Sequence, residues 1–171
     1  MSCEPDPSWG LVATSGKWND LYSSLYPPMV RLAGLLVCDY RLGEEIAQDA
    51  FARLVETGAS VSDPAAYLRA TIANLCRSRI RRAIVARKQW PAMPERQQIG
   101  DSLASSVADS VTIRAALRRL PQRQREAVVL RYYADLSEAE TALAMGVSAG
   151  SVKTHLHRAM SALSSGLEEL R

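Results

Sequence analysis

The sequence predicts an all-α protein of two small helical domains joined by a flexible linker, and three observations carry that prediction. Ala, Leu and Arg are abundant, while Phe occurs once against six Tyr and three Trp, a composition that favours helix over strand. Apolar residues recur every three or four positions, the spacing of one helix face. Residues 91–109 break that pattern with Pro91, Pro94, Gly100 and several serines. The expected organisation is a flexible arm at 1–17, a first helical domain at 18–90, a linker at 91–109 and a second domain at 110–171.

Within the first domain, Trp18, Leu21, Tyr22 and Leu25 begin a helical pattern that Pro27-Pro28 should break or kink, because each proline restricts the residue before it. Pro28 can open the next helix, carried by Val30, Leu32, Leu35 and Leu36. After Asp39 to Gly43, a further helix is expected with Ile46, Ala50, Phe51, Leu54 and Val55 as its apolar face. Thr57 to Pro64 is a loop of small residues. Asp63 caps the next helix with Pro64 at its first position, and that helix should bury Leu68, Ile72, Leu75 and Ile80.

The net charge of +3 is modest, but its distribution is uneven. No acidic residue occurs from Pro64 to Pro94, where Arg69, Arg77, Arg79, Arg81, Arg82, Arg87 and Lys88 accumulate. Asp39, Glu44, Glu45, Asp49 and Glu56 make an acid-rich counterpart upstream. A basic run that continues an apolar helical pattern holds its charge on a folded surface and favours a polyanion. Cys3, Cys38 and Cys76 are isolated, with no zinc-ligand spacing, so a reduced, cytoplasmic compartment is expected. Met1 to Lys17 does not have the form of a signal peptide. The longest apolar run, near Leu32 to Cys38, is too short to span a bilayer.

The second domain begins near Ser110, stops near Pro121 and continues as QRQREAVVLRYYADL into the stretch around which the chain is organised, Leu136 to Leu167. Ser137 and Glu140 form a capping box. Gly146 supplies a left-handed helix end. Ser148 caps a second helix whose apolar positions Val152, Leu156, Ala159, Leu163 and Leu167 share one face. At about 100° per residue, Gly150, Ser151, Thr154, His157, Arg158 and Ser161 turn outward, with Lys153 and His155 on the flanks. This is the pattern of a helix-turn-helix. Small residues at the helix N-terminus permit close approach to phosphate, Lys153 and Arg158 supply charge, and Thr154 and His157 can reach bases or phosphates.

Here the residues carry a family resemblance. From roughly Trp18 to Leu170 the chain resembles an extracytoplasmic-function (ECF, group IV) RNA polymerase sigma factor of the sigma-70 family, which has the two sigma domains called region 2 and region 4. In region 4 the resemblance rests on LRRLPQRQREAVVLRYYADLSEAETALAMGVSAGSVKTHLHRAMSAL. In region 2 it rests on EEIAQDAFARLV and DPAAYLRATIANLCRSRIRR. It implies an alternative sigma factor that binds core RNA polymerase and directs promoter recognition and transcription initiation. Glu45, Gln48, Asp49, Phe51 and Arg53 then match the segment that docks on the polymerase clamp helices. Ser60, Ser62 and Asp63 fall in or beside the loop that captures a flipped base of the −10 element, and Tyr67 stands where the family usually has Trp. Asn74, Arg77, Arg79, Arg81 and Arg82 match the helix that holds the separated strand and adjoining duplex. Ser151, Lys153, Thr154, His157 and Arg158 fall on the helix that reads the −35 element. Ser78 stands where Asp is frequent, and Thr141 where Ile is common.

The implied partners are core RNA polymerase, promoter DNA and an anti-sigma factor, with no small-molecule substrate, cofactor, metal or direct membrane insertion. An alternative is a response-regulator-type helix-turn-helix transcriptional regulator, since VKTHLHRAM also suits that family. Its receiver domain would need strands, and residues 1–100 show no period-two runs. A helical di-metal enzyme using Glu44, Glu45 and Asp49 would want Glu-x-x-His pairs, whereas His155 and His157 lie two apart and face different sides. No P-loop, Ser-His-Asp set or Gly-rich fingerprint is present, so the chain is not expected to be an enzyme. A non-enzymatic interaction scaffold is the remaining alternative.

Overall fold

The computed structural model describes residues 16–57, 61–89 and 107–168. Among them the chain forms seven α-helices and no strand: α1 (Gly16–Val37), α2 (Tyr40–Thr57), α3 (Pro64–Gln89), α4 (Val107–Arg119), α5 (Gln122–Val128), α6 (Glu138–Met145) and α7 (Ala149–Glu168). A π-helical stretch, Val129–Tyr133, extends α5. The expected linker and arm fall largely outside the described residues.

The first three helices pack on one another. In α1, Met29, Leu32, Ala33 and Leu36 are buried at helical spacing, and they meet Ile46, Ala50 and Leu54 of α2 and Leu68 and Ile72 of α3 in one apolar cluster. The α1–α2 corner is built by local chemistry. Cys38 adopts φ 57°, and the Asp39 amide donates back to the Gly34 carbonyl at 3.2 Å, a Schellman-type ending. The Asp39 carboxylate then accepts from the Leu42 amide at 3.1 Å and starts α2. Just beyond, the two helix backbones touch, since a Cβ on Gly43 would lie 2.4 Å from the Gly34 nitrogen. Only glycine fits there.

Pro27-Pro28 does not interrupt the first helix. Both prolines lie inside a continuous α1. They withhold the amides that would meet the carbonyls of Ser23 and Ser24, and those two residues are exposed, so water can take the place of the missing donors. Two positions expected in the core also differ. Val55 is 44% exposed, and Ile80 is only half-buried, because α3 has by then run past the helices that cover Leu68 and Ile72. As expected, Asp63 caps α3, its carboxylate accepting from the Ala66 amide at 2.9 Å.

The second half is built around α5 and α7, with α6 packed on α7. Leu130, Met145, Val152 and Ala159 are fully enclosed. The π stretch closes with the Ala134 amide on the Val129 carbonyl at 3.1 Å. The halves are in contact: α3 meets α6, α1 meets the π stretch, and the apolar cluster runs continuously from Met29 to Ala159. No described helix is long and apolar enough to cross a membrane.

Candidate nucleic-acid interface

The helix-turn-helix follows from its capping residues. Ser137 accepts from the Glu140 amide at 3.2 Å while Glu140 Oε2 accepts from the Ser137 amide at 2.8 Å, the reciprocal pairing of a capping box. Gly146 ends α6 at φ 65°, ψ 41°. Ser148 Oγ accepts from the Ser151 amide at 3.2 Å and opens α7. Val152 and Ala159 seat α7 in the core, with Leu156 and Leu163 half-buried. This fixes the opposite face: Gly150, Lys153, Thr154, His157, Arg158 and Ser161 are exposed, and Ser151 and His155 are half-buried. Lys153 Nζ rests 3.5 Å from Glu138 Oε2, an exposed pair that contributes little and is readily exchanged for another anion.

The capping box carries a stability prediction. Hydrogen bonds from Ser137, side chain and then backbone, hold the Glu140 carboxyl below its ordinary pKa of 4.5. A depressed folded pKa means that the contribution is complete above 4.5 and fades as the pH falls through the folded value. Ser137→Ala is expected to cost about 1 kcal/mol at neutral pH. Urea titrations at neutral pH check that cost, and wild-type stability in the variant would contradict the cap.

The candidate residues of the first half separate into three groups. Arg81 and Arg82 on α3 are exposed, as are Asn74 and Ser62. Arg79 turns towards α2, with Nη2 3.3 Å from Asp49 Oδ2 and Nη1 4.0 Å from Glu45 Oε2. A candidate DNA contact is thus tied to two candidate polymerase contacts. Gln48 and Arg53 are exposed beside them, Gln48 donating to the Tyr26 hydroxyl at 3.3 Å. Tyr67 is half-buried with its hydroxyl 3.1 Å from Thr57 Oγ1, and Asp63 is engaged as a cap. Ser60 lies outside the described residues.

Two positions turn inward: Phe51 is buried and Arg77 partly so. Phe51 is 4% exposed and meets the stacked rings of Tyr22 and Tyr26 edge-on, with centroids at 5.1 and 5.6 Å. Its place on the apolar face of α2 makes it a core residue of the free chain, lying beneath the exposed Gln48 and Arg53. Arg77 points across to the second half. It donates to the Met145 carbonyl, to the Ala144 carbonyl at 3.3 Å and to Asn74 Oδ1, and its Nη1 lies 3.5 Å from Glu126 Oε1.

Glu126 was not legible as a special position. It is 3% exposed, and burial pushes its carboxyl pKa up, against the opposing charges of Arg77, Arg123 and Arg125. Oε2 accepts from Arg123 at 3.2 Å, whereas Oε1 has an ion-pair neighbour but no hydrogen bond. The neighbours Gln122 to Arg125 are all polar, so nothing in the local pattern marked Glu126 for burial. Thr141, at the position where Ile is common, is fully buried with its hydroxyl unpartnered.

Residues 110–163 match the family described as Sigma-70, region 4. The RNA polymerase sigma-E factor of Streptomyces coelicolor is 33% identical over 138 residues, covering 79% of this chain and 77% of that protein. The chain belongs to the ECF RNA polymerase sigma factors. The ECF sigma factor SigD of Mycobacterium tuberculosis is 40% identical over 81 residues, 44% of this chain and 38% of that one. Among solved structures, the sigma factor RpoE of Bartonella quintana, crystallised with the anti-sigma factor NepR, superposes with a TM-score of 0.71 at 19% identity, covering 92% of this chain and all of that one. That likeness shows the all-helical sigma fold. These relatives give the response-regulator alternative no support, and alternative sigma factor function stands in its place.

Proposed function

We propose that this sigma factor binds core RNA polymerase and confers promoter specificity by holding two DNA elements with two helical domains, region 2 over residues 18–90 and region 4 over residues 110–171. In this reading α7 reads the −35 element through Ser151, Lys153, Thr154, His157 and Arg158. The region around Ser60, Ser62, Asp63, Tyr67, Asn74, Arg77, Arg79, Arg81 and Arg82 takes the −10 element, and Glu45, Gln48, Asp49 and Arg53 meet the polymerase. The observation that carries the reading is the exposed face of α7 from Gly150 to Ser161, free of acidic residues and fixed by the caps at Ser137 and Ser148. The protein acts in the cytoplasm, performs no chemistry of its own and is held by an anti-sigma factor. Run-off transcription with core polymerase on a promoter library tests the reading, and absence of sigma-dependent transcripts would overturn it.

The exposed pair Arg81 and Arg82 supplies a further prediction. Charge on phosphates carries a large salt-dependent component. The Arg81→Ala/Arg82→Ala double variant should therefore form fewer heparin-resistant open complexes, with a deficit that changes with salt, and should retain polymerase binding. If these residues were only solvated surface, effects would stay within about 0.5 kcal/mol. Normal opening by the double variant would remove the pair from its role.

A further inference from the structure

Arg77 stands apart from the other arginines of α3. Arg81 and Arg82 are exposed and Arg79 stays within its own half, but the Arg77 side chain is 16% exposed and crosses the seam. Its Nη1 serves the Met145 carbonyl and faces Glu126; its Nη2 serves the Ala144 carbonyl and Asn74. Ala144 and Met145 end α6, where the aligned peptide dipoles and unpaired carbonyls attract a cation. Arg123 joins the cluster, its Nη1 donating to the same Met145 carbonyl at 3.1 Å and to Glu126 at 3.2 Å.

We propose that Arg77 is an exclusive switch. In the closed protein it latches region 2 to region 4 through Glu126 and the C-terminal end of α6; in the open protein the same guanidinium is released to a nucleic-acid phosphate. The DNA half rests on the function proposed above. Exclusivity follows from the donor count. A guanidinium grips phosphate through two donors in a planar fork, and both terminal nitrogens of Arg77 are occupied at the seam. The phosphate would also have to enter a space filled by α6.

The geometry makes the latch reversible. Glu126 Oε1 lacks a hydrogen bond, and burial disfavours its charge, so the attraction is offset by desolvation that opening relieves. Around this centre the seam is held by longer-range polar contacts. Arg118 donates to the Cys38 carbonyl at 2.9 Å, and Arg31 donates to the Tyr133 hydroxyl at 3.2 Å. A polyanion that offers Arg77 a better partner shifts the equilibrium by its preference for the open form, and by no more than that.

Two variants of the full chain separate the two halves of the proposal. Labels at the exposed positions Glu56 and Ser164 report the distance between the domains, circular dichroism reports folding, and a fluorescent mixed-sequence DNA single strand probes phosphate binding. Glu126→Gln keeps Arg77 and weakens the latch by removing its buried charge. It should lengthen the distance and bind the strand more tightly, on the order of tenfold. Arg77→Gln, the milder change at a less buried site, should lengthen the distance equally without that gain. An unchanged distance in a folded variant overturns the latch. Lengthening in both with identical strand affinities overturns the competition with DNA and, separately from the latch, argues against the DNA role of Arg77.

Discussion

Replacing Cys76 with alanine is expected to remove an alkaline instability of about 4 kcal/mol at its full extent. Cys76 is 3% exposed, and its thiol is pushed from 9.0 up to about 12, first by burial and then by the charge of Glu126, with Arg125 and Arg77 opposing. Because the folded state raises this pKa, the stabilisation is complete below 9.0 and is lost as the pH rises towards 12. Over that interval the unfolded chain gains by ionising its thiol while the folded chain cannot. Each unit is worth about 1.4 kcal/mol. Urea titrations at neutral pH and midway through the interval should show wild type losing about 2 kcal/mol more than Cys76→Ala. Equal losses would mean that the thiol does not feel its surroundings in this way.

The second large effect belongs to α7. If Arg158 grips a base edge with two donors, Arg158→Ala should weaken binding to the preferred −35 sequence by about 1 to 3 kcal/mol and relax preference at one position. Lys153 is a different kind of group, 67% exposed on its side chain and shared with Glu138. Lys153→Ala should weaken every sequence similarly and reduce the salt slope by about one. Binding of promoter DNA by the polymerase complex, measured across a salt series, distinguishes the two. Wild-type affinity and salt dependence in both variants would take the helix out of its assigned role.

What was legible in the sequence was legible because its causes are local. The Ser137–Glu140 box, the left-handed Gly146, the Ser148 cap and the Asp63-Pro64 start of α3 each depend on a few adjacent residues, and each is where the pattern put it. The apolar stripe of α7 worked for the same reason, since its period is a property of one helix. The contacts of Arg77 across the seam lay beyond that logic. A basic residue among basic residues reads as surface, and only the approach of α6 from 68 positions further along turns it inward. Phe51 was ambiguous between core and contact until the rings of Tyr22 and Tyr26 closed over it. The π stretch at Val129–Tyr133 left no sign in periodicity, because one residue added to a helical turn resembles ordinary drift of the apolar stripe. The prolines misled because a local steric rule was applied where exposed carbonyls had water available.

That proline pair also partitions α1 in a way its unbroken outline hides. Amide hydrogen bonding transmits cooperativity along a helix one rung at a time, and two successive rungs are missing where Pro27 and Pro28 stand. Upstream turns are joined to the rest by side chains, with Tyr22 stacked on Tyr26 at 4.7 Å, both against Phe51, and Trp18, Leu21 and Leu25 half-buried against the core. Downstream, Met29, Leu32 and Leu36 are fastened in the interior. The helix is therefore two units of local unfolding laid end to end. Amide exchange is expected to be faster before Pro27 than from Met29 to Val37, the first turns opening as a leaf over Phe51 rather than as the end of a rigid rod.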